Sequence, residues 1–202
     1  MTLNDFVFLP LVPGETDFSN FDCARDDIND FFLNDASDYQ EELFGKTYVF
    51  VPEDTPTNIV AAFTVANASI FTKRLPNARK KKIGYEVHQS KGLINYPAVL
   101  LGRLGVDLRY QHAHLGPQII DFVAQWFTSD DNKSGCRHLI VDAYNEPGLI
   151  DFYQRNGLKL FFSTEQQERE YRALDVNTSE KLGTRLMYRD LILLKRNSLR
   201  AK

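Results

Sequence analysis

Cysteine is scarce in this chain. Cys23 and Cys136 are the two present, far apart and in no metal-ligand spacing. They suit a reducing compartment, where both are expected to be small buried hydrophobes. Long apolar runs are missing as well, and none reaches the roughly 18 residues of a membrane span. The start, MTLNDFVFLP, lacks a basic segment followed by an apolar core, so no signal peptide is expected. A cytoplasmic location without membrane attachment follows as an expectation. There is no basic surplus: 24 Lys and Arg stand against 27 Asp and Glu, for a net charge of −3. The chain as a whole therefore has no global pull toward nucleic acid. Internal repeats, low-complexity tracts and a clear linker are also absent, so one domain over residues 1–202 is expected.

What the chain has is aromatic and apolar mass, with 15 Phe, 9 Tyr and 43% hydrophobic residues. Phe6 to Leu9 reads as a short strand ending at Pro10. A helix follows Phe21-Asp22-Cys23, with Asp22 as its cap and Ile28, Phe31, Phe32, Ala36 and Tyr39 on one face. Thr47 to Val51 and Asn58 to Phe71 read as strands joined by the turn-rich PEDTPTN, an antiparallel hairpin. Residues 72–97 are irregular and basic, through Lys73, Arg74, Arg79, Lys80, Lys81 and Lys82, and read as a loop with room for one short helix. Ala98 to Val106 is a buried strand, and Ile119, Ile120, Val123, Ala124 and Phe127 repeat at helical spacing. His138 to Tyr144 is another buried strand. Pro147 opens a short helix that stops at Asn156-Gly157. Leu158 to Phe162 and Thr184 to Arg189 read as the last strands, with a polar loop over 163–183.

Chemistry concentrates in the turn Gln111-His112-Ala113-His114-Leu115-Gly116-Pro117, between a strand and a helix. A strand turning directly into a helix leaves the first helical N–H groups without intrahelical partners. With the helix dipole behind them they suit an anion such as a pyrophosphate. Pro117 fits the first helical turn, where no N–H is needed. The turn resembles motif A of the GNAT acyltransferases, Gln/Arg-x-x-Gly-x-Gly/Ala. Gln111 and Gly116 match its ends, and His114 stands at the middle glycine, which is tolerated with a φ below zero and an outward side chain. Further along, AYNEPGLIDFYQRNGLKLF resembles the motif B region of the same family, through Asn145, Phe152, Tyr153 and Gly157, with Leu158 for the usual Phe. The likeness covers roughly residues 45–190.

Membership in that family implies a mixed α/β fold. A mostly antiparallel, twisted central sheet of six to seven strands holds a parallel splayed pair, with helices on both faces. It also implies an enzyme, an acetyltransferase that moves an acetyl group from acetyl-CoA to an amine with no metal. The backbone of Leu104, Gly105 and Val106 would take the pantetheine, and Gly105 would mark a bulge. The turn Gln111, His112, Ala113, His114, Leu115 and Gly116 would hold the pyrophosphate, and Asn145, Phe152 and Tyr153 would line the cofactor. The catalytic assignments are Val106, whose N–H would face the oxyanion, and Tyr153, the general acid on the leaving thiolate. Asn145 could equally hold the strand end or cap the next helix. Glu86, His88 and Asp107 stay open as general base, Asp107 also as a loop-fixing acid.

A finer resemblance lies in FDCARDDINDFF and GRLGVDLRYQ, which look like the GNAT subgroup that includes toxins of toxin–antitoxin pairs. Those usually carry Phe-Asp-Cys-Gly and Gly-Arg-Leu-Ala-Val-Asp, so Ala24 and Gly105 are departures. The subgroup implies aminoacyl-tRNA as an acceptor. The alternatives left open are a small-molecule or protein amine, a charged tRNA, and a non-catalytic CoA-binding regulator. Whether the chain forms a homodimer is also left open.

Overall fold

The computed structural model describes residues 1–84 and 93–200. Among the described residues seven strands form one sheet in the order β1-β2-β3-β4-β5-β7-β6: β1 Val7–Pro10, β2 Lys46–Val51, β3 Ala61–Phe71, β4 Asn95–Val106, β5 His138–Tyr144, β6 Lys159–Leu160 and β7 Thr184–Asp190. The fold is mixed α/β, and the sheet is mostly antiparallel with one parallel pair. The helices are α1 Asp26–Asp30, α2 Ala36–Glu41, α3 Asn77–Gly84, α4 Leu115–Thr128, α5 Pro147–Arg155, α6 Glu165–Arg172 and α7 Ile192–Arg200. The chain gathers into two compact units, Met1–Asn67 with Leu100–Ser129, and Ala68–Val99 with Asp130–Lys202.

In the first unit, β1, β2 and β3 form an antiparallel meander, registered from Val7↔Val51 to Lys46↔Val65. Val49, Phe50 and Val51 are all buried, so β2 is covered on both faces. At the buried cross-strand pair Thr47↔Thr64 the two hydroxyls lie 2.8 Å apart and share one hydrogen bond. Helix α4 buries Ile119, Ile120, Val123 and Ala124 completely. At about 1.5–3 kcal/mol for a fully buried large aliphatic side chain, that stripe anchors the helix. Phe122 and Trp126 pack edge-on against Phe8, at 4.8 and 5.4 Å between ring centroids. Phe18, Phe21, Phe31 and Phe32 form a second aromatic cluster.

Two expectations shift in this unit. The first helix starts at Asp26, not beside Asp22, and its N-cap is Arg25. Asp22 uses its carboxylate to accept from Ala24 N and Asn29 Nδ2, both at 2.8 Å, so it closes the turn ahead of the helix. Residues 31–35 then widen into a π-helical turn. Strand β3 begins at Ala61, because Asn58 N is used in a turn to Thr55 O.

In the second unit, β5 and β7 pair antiparallel along their whole length, from His138↔Asp190 to Tyr144↔Thr184. Helix α5 has Pro147 in its first turn, and Gly157, at φ +81°, ends it as expected. Strand β6 is only Lys159–Leu160, although Phe161 N still reaches Leu186 O and both Phe161 and Phe162 are fully buried. The expected loop over 163–183 contains α6, capped by Thr164, whose hydroxyl accepts from Gln167 N. The C-terminal α7 follows β7 directly. In the basic stretch, a 3-10 turn Thr72–Arg74 and α3 supply the short helix.

Candidate functional site

The first unit holds one set of site residues. At the end of β4 the chain passes Leu104, Gly105 and Val106 and enters a 3-10 turn, Leu108–Ala113, capped by Asp107. Asp107 is 2% exposed and accepts from Arg109 N at 3.0 Å, Arg109 Nε at 2.7 Å, Arg109 Nη2 at 2.9 Å and Asp22 N at 3.2 Å. Burial alone would raise its pKa; the hydrogen bonds and charge of Arg109, with the Asp22 amide, outweigh that and hold it below the usual carboxylate value. An acid so fully occupied fixes the loop and has no lone pair aimed at an amine. Of the three general-base candidates, Asp107 is thus structural, and Glu86 and His88 lie outside the described residues.

His114 corrects an expectation. It has φ 53° and ψ 36°, the left-handed conformation, not a φ below zero. The position where the family's motif has glycine is thus one where the backbone demands positive φ. Histidine is among the non-glycine residues enriched there, and His114 is exposed, so its ring meets no obstruction. The left-handed residue ends the 3-10 turn and starts α4 at Leu115. Inside a 3-10 turn each amide bonds three residues back, so the free donors narrow to the residues beyond it. The N–H groups of Leu115 and Gly116 have no intrahelical acceptor, and Pro117 has no N–H. His112 is also exposed. Among the described residues no cluster of His, Cys, Asp and Glu could hold a metal.

The segment that precedes α1 packs directly on this turn. Leu108 N donates to Asp22 O at 2.8 Å, and Gln111 Nε2 donates to Cys23 O at 3.1 Å and to Val106 O at 3.2 Å. A Cβ on Gly105 would lie 3.0 Å from Phe21 Cζ and 3.1 Å from Cys23 Sγ. The two short motifs at 21–24 and 102–107, far apart in sequence, are therefore one piece of structure. Ala24, the other departure from a motif glycine, is also left-handed, at φ 62°.

The second unit holds the other set. Asn145 follows β5, and its carboxamide donates to Glu165 Oε1 at 2.8 Å and Leu182 O at 2.9 Å, while its N–H donates to Gly183 O. It ties the strand end to α6 and is not the cap of α5; that position is Glu146, without a side-chain cap bond. Glu165 also accepts from Leu182 N at 2.8 Å; these bonds, the Leu182 amide first and Asn145 second, lower its pKa. Sequence reasoning missed Glu165, because it took the segment for a loop. Tyr153 is half-buried on α5 with its ring 5.1 Å from that of Phe152. Burial, with Tyr144 adding to it, pushes its phenol up to about 12. The group is a neutral proton donor across the physiological range.

The fold is GNAT-like. No protein-family model matches the chain. Among solved structures, AtaT complexed with acetyl-methionyl-tRNAfMet superposes with a TM-score of 0.71 at 16% identity, over 96% of this chain and 99% of that one. AtaTR bound with acetyl-CoA gives 0.71 at 18% identity, over the same shares of 96% and 99%. A tyrosine-to-phenylalanine mutant of KacT gives 0.69 at 18% identity, again over 96% and 99%. At such identities the likeness is one of fold. No helix among the described residues is long and apolar enough to cross a membrane.

Proposed function

We propose that this protein is an acetyl-CoA-dependent N-acetyltransferase acting on a primary amine by direct attack in a ternary complex. The observation that carries the reading is the left-handed residue His114, which opens α4 with no side-chain cap on its first turn. The N–H of Gly116, a half-buried residue at the positive end of a 14-residue helix, suits a pyrophosphate, and Gly116 has no side chain to hold it away. The fold's likeness to a structure of AtaTR bound with acetyl-CoA supports the same donor.

In this reading the backbone of Leu104 to Val106 takes the pantetheine amides. The amine nitrogen attacks the thioester carbonyl carbon, and the Val106 N–H stabilises the resulting oxyanion. The C–S bond then breaks, and Tyr153 gives its proton to the leaving thiolate. The proton lost by the amine passes to water, and the gain from holding the two reactants together is mainly entropic. Calorimetry with acetyl-CoA is the first test, with saturable binding expected; no binding would remove every enzymatic reading. An acceptor screen followed by thiol release, with Tyr153→Phe as the control, then tests the chemistry.

A second reading takes the amine from an aminoacyl-tRNA. The observation in its favour is the stretch 73–82, where Lys73, Arg74, Lys80 and Lys81 are exposed and no acidic residue intervenes. Such a surface attracts phosphates in spite of the net negative charge. AtaT, of the same fold, is seen with acetyl-methionyl-tRNAfMet. Expression should then arrest growth and yield acetylated tRNA, and the absence of both would exclude it.

A further inference from the structure

We propose that Gln111 is a positioning residue for the oxyanion donor, acting through Val106 and not by contact with the cofactor's phosphates. The proposal rests on the acetyl-CoA reading above. Both N–H groups of the Gln111 carboxamide are engaged, on Cys23 O at 3.1 Å and Val106 O at 3.2 Å. What remains of the side chain for a ligand is an acceptor oxygen, which repels a phosphate. The same peptide plane is held from its other side, where Asp107 N donates to Val60 O at 2.9 Å. The Val106–Asp107 peptide is therefore pinned at its carbonyl by Gln111 and at its N–H by Val60. That fixes the backbone of Val106 on its C-terminal side and leaves its own N–H with little freedom to swing.

Oxyanion stabilisation depends on such pre-organisation, because a donor that must reorient in the reaction loses most of its effect. The carboxamide reaches from the anion-binding turn to the last residue of β4 and to the segment before α1. It thus links the part of the site that would hold the pyrophosphate to the part that would meet the thioester.

Acetyl-CoA and free CoA differ by the acetyl group, which brings the thioester carbonyl, and share every phosphate, so their affinities separate the two roles. Gln111→Met keeps the length and neutrality of the side chain and removes both donors. Calorimetry should show acetyl-CoA binding weakened about fivefold and CoA binding changed less than about twofold, the scale of one neutral hydrogen bond. Acetyl-CoA hydrolysis, followed by thiol release, should lose kcat, with KM rising no more than the roughly fivefold weakening of acetyl-CoA binding. Gln111→Arg, which restores donors, should recover the preference for acetyl-CoA. Equal weakening of both ligands would mean a phosphate contact and would overturn the proposal, as would no change in either. If Gln111→Met fails to fold, loss of the preference in a folded Gln111→Arg overturns it. Wild-type protein that binds neither ligand would defeat the acetyl-CoA reading itself, an outcome distinct from these.

Discussion

Gly105 and Cys23 face each other so closely that a Cβ on the glycine would lie 3.1 Å from both Cys23 Cβ and Sγ. Cys23 is buried and Phe21 Cζ closes the remaining side, so the glycine is needed for approach and not for its torsion freedom. Gly105→Ala should destabilise the protein by about 1–2 kcal/mol, within the usual range for an extra methyl in a packed core. Cys23→Ala should lower that penalty in the double variant, since it removes the sulfur. Urea unfolding of the two single variants and the double variant checks it, and strict additivity would mean that the contact is not the cause.

Ala24 and His114 hold left-handed backbone, at φ 62° and 53°, where the family motifs have glycine. For an L residue that conformation costs roughly 1–2 kcal/mol, partly offset on substitution by the greater unfolded-state entropy of glycine. Ala24→Gly and His114→Gly should each therefore stabilise the protein by about 0.5–1 kcal/mol. Thermal melting reads this directly as a raised Tm. A lowered Tm for His114→Gly would show that the imidazole makes stabilising contacts.

These two residues also show where sequence reading stopped. The turn was readable because Gln111, Gly116 and the α4 stripe are local patterns, but the torsion of a single residue is not written in residue type. Helix α6 was missed for a different reason: its inward face is ionic. Glu168 is fully buried and accepts from Arg185 Nε at 2.7 Å, Arg172 Nη2 at 2.8 Å and Leu186 N at 2.6 Å. Arg169 is 9% exposed, its guanidinium on the carbonyls of Asp175 and Glu180. A helix buried through charge has no apolar period to find. The same logic hid Glu165, whose link to Asn145 exists only once α6 is in place.

Glu168→Gln should consequently be among the most destabilising single changes in the second unit. It leaves the Arg185 guanidinium, 10% exposed, without its counter-charge. Removing one partner of a buried pair costs about 3–5 kcal/mol. Urea unfolding should show a loss of that size, and limited proteolysis should cut sooner within 173–183. A loss below about 1 kcal/mol would show that the arginines find other partners.

Tyr153→Phe should keep acetyl-CoA affinity within about twofold and lower the acetyl-transfer kcat by a factor on the order of 100 or more, the usual scale for a general acid. The pH profile adds a second check. A phenol pushed up to about 12 stays protonated to that pH. The wild-type rate should then show no alkaline fall near 10 from this group. An alkaline limb near 10 that disappears in Tyr153→Phe would place the phenol in a far more solvated setting.

His138 gives the protein a specific weakness to acid. It is fully buried at the start of β5, between the rings of Tyr96 and Tyr188 at 6.0 and 6.1 Å, and neither ring nitrogen has a hydrogen-bond partner among the described residues. Burial lowers its pKa from 6.5 to about 4, the Asp190 carboxylate opposing this and Arg137 adding to it. The folded chain therefore keeps the imidazole neutral where the unfolded chain already binds a proton. The stability tied to this group is fully present above pH 6.5 and declines as the pH falls from there to about 4. The loss is on the order of 3 kcal/mol across that window. His138→Phe should flatten this share of the pH dependence. At pH 7 it should leave stability equal or higher, because a buried N–H without an acceptor is removed. Urea midpoints measured every half unit between about pH 7.5 and 4.5 decide the matter, and parallel curves for the two proteins would show that His138 does not carry the acid sensitivity.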